Sequence, residues 1–156
     1  MNTQRYSFDY EVYESSTTLD IDDQELLRKA QEAADGAYAV YSGFNVGAAA
    51  QLLNGEVVTG SNQENASYPA GICAEGTTLA VASARFPGMP IKKMAISFKT
   101  KMKSDHAIAP CGICRQQLQE FSIRTGSPIR LIMGGLSGEV IVVQDASSLL
   151  PFAFKF

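Results

Sequence analysis

Tyr6, Phe8, Tyr10 and Val12 alternate with Ser7, Asp9 and Glu11, the two-residue period of a half-buried strand. The same residues would also serve as an arm that pairs only in an oligomer. Beyond them the period lengthens: Leu26, Leu27, Ala30, Ala33, Ala34 and Ala37 form a 3.6-residue stripe, and Asp22 and Asp23 ahead of it supply capping and dipole-compatible charge, so a first helix is predicted. Residues 46–53 and 56–59 read as strands flanking Asn54-Gly55, a dipeptide suited to a type I′ hairpin turn because both central positions there need positive φ. After a loop that includes residues 62–70, the segment 73–85 lacks proline and is rich in Ala, Thr and Leu, which predicts a second helix. Gly88 and Pro90 stop it. Residues 91–98 then read as a strand and the lysine-bearing stretch 99–105 as a solvated loop. A third helix is predicted from Pro110-Cys111 through Phe121, with Leu118 and Phe121 facing inward, ending by Gly126 and Pro128. Residues 129–133 and 139–143 give two further strands, separated by Gly134, Gly135 and Gly138. No internal repeat is present.

Helices crossing between strands imply an α/β sandwich around a mixed sheet, a class that places ligands at strand ends where helices begin. The 156 residues suit one domain, and 46% hydrophobic with 19% charged residues is a globular balance. The net charge of −3 offers no basic footprint for phosphate backbones, so a nucleic-acid partner is not expected. The N-terminus lacks a basic segment followed by an apolar core, and no apolar run reaches a membrane span; a soluble, cytoplasmic protein without a membrane partner is expected.

The candidate chemistry lies in three cysteines, Cys73, Cys111 and Cys114, which with Glu75 and Pro110 spell Cys-x-Glu and, much later, Pro-Cys-x-x-Cys. Three thiolates give zinc one ligand fewer than a closed tetrahedral site, and the fourth position is where a catalytic zinc holds water. Glu75, two residues past the first ligand, is placed to move that water's protons. This layout is a zinc deaminase signature. Other readings are weaker. Buried cysteines, a redox pair or half a zinc knuckle would each explain part of the pattern, but a thioredoxin-like reading leaves Cys73 and Glu75 without a role. A closed site would have to recruit His106, the sole histidine, from a polar stretch. Both cysteine segments fall at predicted helix starts, whose free N–H groups and positive pole stabilise thiolates. One metal accounts for every cysteine, which suits a reducing compartment without disulfides.

Outward from these residues, Tyr41-Ser42-Gly43-Phe44-Asn45-Val46-Gly47-Ala48-Ala49, then Asn62-Gln63-Glu64-Asn65-Ala66-Ser67-Tyr68-Pro69, and finally Leu149-Leu150-Pro151-Phe152-Ala153-Phe154, resemble the cytidine deaminase family. In particular they resemble its short-chain homotetrameric branch, whose zinc is held by three cysteines. The resemblance covers residues 22–156 as the catalytic domain and leaves 1–21 as an extension, an extra strand or an oligomer arm. It implies a three-layer sandwich with a mixed five-stranded sheet and helices on both faces. It further implies one Zn2+ per subunit on Cys73, Cys111 and Cys114, Glu75 as the proton-transfer group, and release of ammonia from cytidine or deoxycytidine in pyrimidine salvage. Phe44 is then expected beside the nucleoside, Asn62 and Glu64 on the ribose hydroxyls, and Ala74 in backbone contact with the base. Tyr68 and Phe154 are expected to reach a neighbouring subunit's pocket in a homotetramer with shared sites. Gly76 departs from the pattern, because the family usually has Arg there. Three thiolates and one zinc ion carry net charge −1, which that arginine would offset; the helix dipoles at both cysteine segments remain, Arg115 next to Cys114 is a further candidate for compensating charge, and the alternative reading of Gly76 is a changed substrate pocket.

Three other functions use the same residues. A deaminase of another aminated heterocycle, such as a nucleoside antibiotic of the blasticidin type, shares the metal signature, although the segment 62–68 favours a plain nucleoside. A polynucleotide editor would need a basic or aromatic stripe for single strands, which the acidic balance does not supply. A zinc-stabilised interaction domain without catalysis has only Gly76 in its favour, because Glu75 is intact.

Overall fold

The computed structural model describes residues 1–156. Its elements are β1 (Glu11–Tyr13), α1 (Ile21–Ala33), β2 (Asn45–Leu52), β3 (Val57–Ser61), α2 (Ala74–Arg85), β4 (Ile91–Lys99), α3 (Gly112–Thr125), β5 (Arg130–Gly134) and β6 (Val140–Val143), with short 3-10 turns between them. The strands form one mixed sheet in the order β1-β6-β5-β4-β2-β3. Only β4 and β5 pair in parallel, with Met94 opposite Leu131 and Ile96 opposite Met133.

The strand period divides the core into two layers. Ala49, Ala95, Ile132 and Val142 face one side of the sheet and pack with Leu26, Leu27 and Ala30 of α1. Ala48, Ala50, Met94, Ile96, Leu131 and Met133 face the other and pack with Leu79 and Ala82 of α2 and Leu118 and Phe121 of α3. Helices therefore cover both faces, as a three-layer α/β/α sandwich requires. Two glycines let the helices approach closely. A Cβ on Gly47 would lie 2.1 Å from the Ala30 carbonyl oxygen on the α1 side, and one on Gly60 would lie 2.7 Å from the Thr78 nitrogen on the α2 side.

Several expectations need correction. The sheet has six strands rather than five, because β1 adds to the β6 edge, with Val12 opposite Ile141. That strand spans only residues 11–13; Tyr6, Phe8 and Tyr10 lie outside it on the surface, where the Tyr6 hydroxyl donates to the Ser148 carbonyl at 2.7 Å. The β2–β3 turn is not type I′. Only Gly55 has positive φ, 88°, and its N–H donates to the Leu52 carbonyl at 3.0 Å, so Leu53 and Asn54 form an ordinary turn closed by a left-handed glycine. Asp20, not Asp22 or Asp23, caps α1 by accepting from the Asp23 N–H. The 99–105 loop is anchored rather than wholly solvated: Ser104 is buried, and its carbonyl accepts from the Leu136 N–H at 2.7 Å.

Candidate active site

β3 pairs antiparallel with β2, which pairs antiparallel with β4, so β3 and β4 point the same way. The chain leaves their C-terminal ends into α2 and α3, which therefore begin on the same edge of the sheet. Cys73 is the N-cap of α2, with φ −71° and ψ 158°, and Cys111 is the N-cap of α3, with φ −66° and ψ 170°. Extended backbone at both caps presents the thiols beside the unpaired N–H groups of each first turn. Cys114 follows one turn into α3.

The structure brings Cys73, Cys111 and Cys114 together, all three sulfurs lying within 4.8 Å of one another. Cys73 Sγ to Cys111 Sγ is 3.8 Å and Cys111 Sγ to Cys114 Sγ is 3.5 Å. Tetrahedral zinc with Zn–S bonds of about 2.3 Å needs sulfurs about 3.8 Å apart, so the donor set fits this ion in both chemistry and spacing. His106 is not part of the cluster. Its ring packs against Phe98 with centroids 5.0 Å apart, and Phe98 in turn stacks on Phe44 at 5.0 Å. The closed site with His106 as fourth ligand is thus not the one this fold arranges.

The thiols share protons unequally. A hydrogen bond with Cys114 lowers the Cys73 pKa to about 6, whereas the same bond, together with burial, pushes Cys114 up. Glu75 occupies the first turn of α2 and is almost fully buried; burial raises its pKa, against smaller opposing hydrogen bonds from its own backbone N–H and from Cys114. A buried carboxyl group whose pKa is raised, beside three sulfurs, is suited to carrying protons.

Of the expected nucleoside contacts, Asn62 and Glu64 hold the loop that carries Phe44. The Asn62 amide holds that loop, accepting from the Val46 N–H at 2.8 Å and donating to the Phe44 carbonyl at 3.0 Å. Glu64 accepts from the Tyr41 N–H at 2.8 Å and from the Ser42 hydroxyl and N–H, bonds that hold its pKa low. Each group keeps capacity for a further partner, since an amide carries two donors and two lone pairs and a carboxylate about four acceptor positions. Glu64 also lines a hollow of about 330 Å³ with Tyr41, Ser42, Asn65, Tyr68 and Gly71. Ala74 is buried in the first turn of α2. Tyr68 and Phe154 stand out from the surface, 79% and 66% exposed.

Gly76 faces α3, where a Cβ would come within 2.9 Å of Gln117 Oε1, so Gln117 fills the space a side chain at 76 would enter. Arg115 donates through Nε to the Pro110 carbonyl at 2.8 Å and through a terminal nitrogen to the Leu149 carbonyl at 3.3 Å, which sets its charge beside the Cys111 segment. Sequence reasoning missed Gln116, whose side chain bonds both backbone groups of Phe154. Its position immediately after Cys114-Arg115 was the only available signal.

Comparison with known proteins gives the same picture. Residues 20–127 match the family described as the cytidine and deoxycytidylate deaminase zinc-binding region. The cytidine deaminase of Halalkalibacterium halodurans is 34% identical over 134 residues, spanning 86% of this chain and 95% of that protein. Among solved structures, the cytidine deaminase from Burkholderia pseudomallei superposes with a TM-score of 0.71 at 40% identity, covering 83% of this chain and 97% of that one. The Mycobacterium tuberculosis enzyme gives a TM-score of 0.67 at 31% identity, covering 88% and 100%.

Proposed function

Because the chain belongs to the cytidine deaminase family, with its zinc-binding region at residues 20–127, we propose that it hydrolyses cytidine and deoxycytidine to uridine and deoxyuridine with release of ammonia. The observation that carries this reading is the three-sulfur cluster at zinc spacing with the buried carboxyl of Glu75 beside it.

Cys73, Cys111 and Cys114 would hold one Zn2+ per subunit. When bound, the ion supplies Lewis acidity that makes hydroxide available from water near neutral pH. Glu75 takes the proton of the attacking water and delivers it to N3 of the pyrimidine, which makes C4 more electrophilic. The same carboxylate then takes the remaining proton from the new C4 hydroxyl and passes it to the exocyclic nitrogen, so that the C4–N bond breaks, ammonia leaves and the ring carbonyl forms. Asn62 and Glu64 bind the ribose hydroxyls with the donors and acceptors that the loop does not use. Phe44 packs beside the nucleoside, and the backbone at Ala74 contacts the base.

Residues 22–156 form the catalytic domain in this proposal, and 1–21 are an extension. The exposure of Tyr68 and Phe154 supports a homotetramer in which these aromatics enter neighbouring pockets. A nucleoside substrate, a cytoplasmic location and a part in pyrimidine salvage belong to the same reading. No helix is long and apolar enough to cross a membrane, and the net charge of −3 does not favour nucleic acid.

Loss of ultraviolet absorbance on cytidine, deoxycytidine, cytosine and blasticidin tests the substrate class. Both nucleosides should be consumed and free cytosine spared, because a site built to pair ribose hydroxyls rejects a base lacking them. Turnover of blasticidin alone would replace this function with that of an antibiotic deaminase. Metal-loaded protein inert on the whole panel would leave an interaction domain.

A further inference from the structure

We infer that Arg115 and Gln116 form a latch that joins the metal-bearing start of α3 to the C-terminal aromatic tail, and so act as positioning residues for the deamination proposed above. The inference rests on that proposal only for its kinetic consequence; the latch itself is a matter of geometry.

The two residues follow the last sulfur ligand directly and reach different parts of the chain. Gln116 Nε2 donates to the Phe154 carbonyl at 2.9 Å, and the Phe154 N–H donates to Gln116 Oε1 at 3.0 Å. One planar amide thus satisfies both backbone groups of a single residue, the two-bond exchange that otherwise links a hydrogen-bonded pair of antiparallel strand residues. Fixing both groups fixes the direction in which the Phe154 side chain leaves the backbone. An amide side chain suits this role because it carries a donor and an acceptor side by side, whereas an ionised carboxylate offers acceptors alone.

Arg115 completes the arrangement. It spans the Pro110 carbonyl, immediately before the ligand Cys111, and the Leu149 carbonyl at the end of the 3-10 turn Ala146–Leu149. The tail is therefore held where it leaves that turn and again at Phe154, and both holds originate in the two residues after Cys114. The extension adds a third hold nearby through the Tyr6 hydroxyl on the Ser148 carbonyl. Phe154 remains 66% exposed with its ring 5.1 Å from that of Phe156, so the latch orients an aromatic side chain that its own subunit does not bury.

The test uses zinc-loaded full-length protein with Gln116→Ala, Gln116→Glu, Phe154→Ala and the double variant Gln116→Ala/Phe154→Ala. Gln116→Ala should raise the KM for cytidine by roughly 3–10-fold, the effect of losing two partly exposed hydrogen bonds, with kcat within about twofold and zinc content unchanged. Gln116→Glu, which keeps the bond from the Phe154 N–H and loses the other, should fall between. In the Phe154→Ala background, Gln116→Ala should add nothing to KM, since it acts only through the tail. Hydrogen exchange at the Phe154 amide should quicken about tenfold in Gln116→Ala without substrate present.

An unchanged KM, effects of the two single variants that multiply, or zinc loss in Gln116→Ala would each overturn the latch. If the unmodified protein does not consume cytidine, the proposed function fails instead. The exchange rate at Phe154 then decides the latch by itself: a faster rate in Gln116→Ala supports it and an unchanged rate ends it.

Discussion

Glu75 is nearly buried, beside three sulfurs that the fold draws together, and burial raises its pKa. Its proposed work is proton transfer, so Glu75→Gln, which keeps size and polarity but cannot carry a proton, should retain zinc and lose turnover by roughly 10²–10⁴-fold. Metal analysis alongside steady-state rates on the same sample checks this, and retention of a tenth of the activity would remove Glu75 from the mechanism. The three-cysteine cluster was legible in the sequence because metal coordination dictates residue type and, for Cys111 and Cys114, short spacing. The contacts of Asn62 and Glu64 were not, because each holds a loop some twenty residues away through backbone atoms that every residue type shares. Gln116 was hidden for the same reason, its partner Phe154 being 38 positions distant.

At the scale of elements, periodicity located α1, composition and stop residues located α2 and α3, and the strands from β2 onward were placed, while β1 and the connections between elements departed from expectation. Asp22 and Asp23 read alike in the sequence, yet Asp20 caps α1 and Asp23 turns inward to 1% exposure. There its carboxylate meets Lys93 of β4 at 2.7 Å and Arg130 of β5, an ion triad joining the start of α1 to the two parallel strands. A charge among other charges at a helix start carries no local mark of such partners. Asp23→Ala should leave Lys93 buried without its counter-charge and cost about 3–5 kcal/mol in chemical denaturation at neutral pH, with zinc binding unaffected. Desolvation raises the Asp23 pKa, but the bonds from Lys93 and Arg130 outweigh it, so the folded-state value lies below the ordinary one. The triad's contribution is therefore complete above the ordinary aspartate range near 4 and is lost as pH falls through the lower folded value. The stability of Asp23→Asn should accordingly vary less than wild type between about pH 5 and pH 2, and parallel acid limbs would contradict this assignment.

For the whole molecule, the alternation of helices and strands made the layered α/β class legible. The strand order was not, because β1 joins β6 across more than a hundred residues and its three positions give little register signal. What the fold accomplishes is a matter of direction. β3 and β4 run the same way, so two helices start on one edge, and their N-termini carry sulfur ligands from segments 38 residues apart in the chain. If this assembly exists to hold a catalytic zinc, metal and activity must rise and fall together. The direct test is zinc content and cytidine turnover measured on one preparation, before chelation, after it, and after zinc is returned. One zinc per chain, loss of turnover with the metal and recovery on its return are the results expected. Chains purified without zinc that still deaminate cytidine, or chains holding one zinc each that do not, would contradict it.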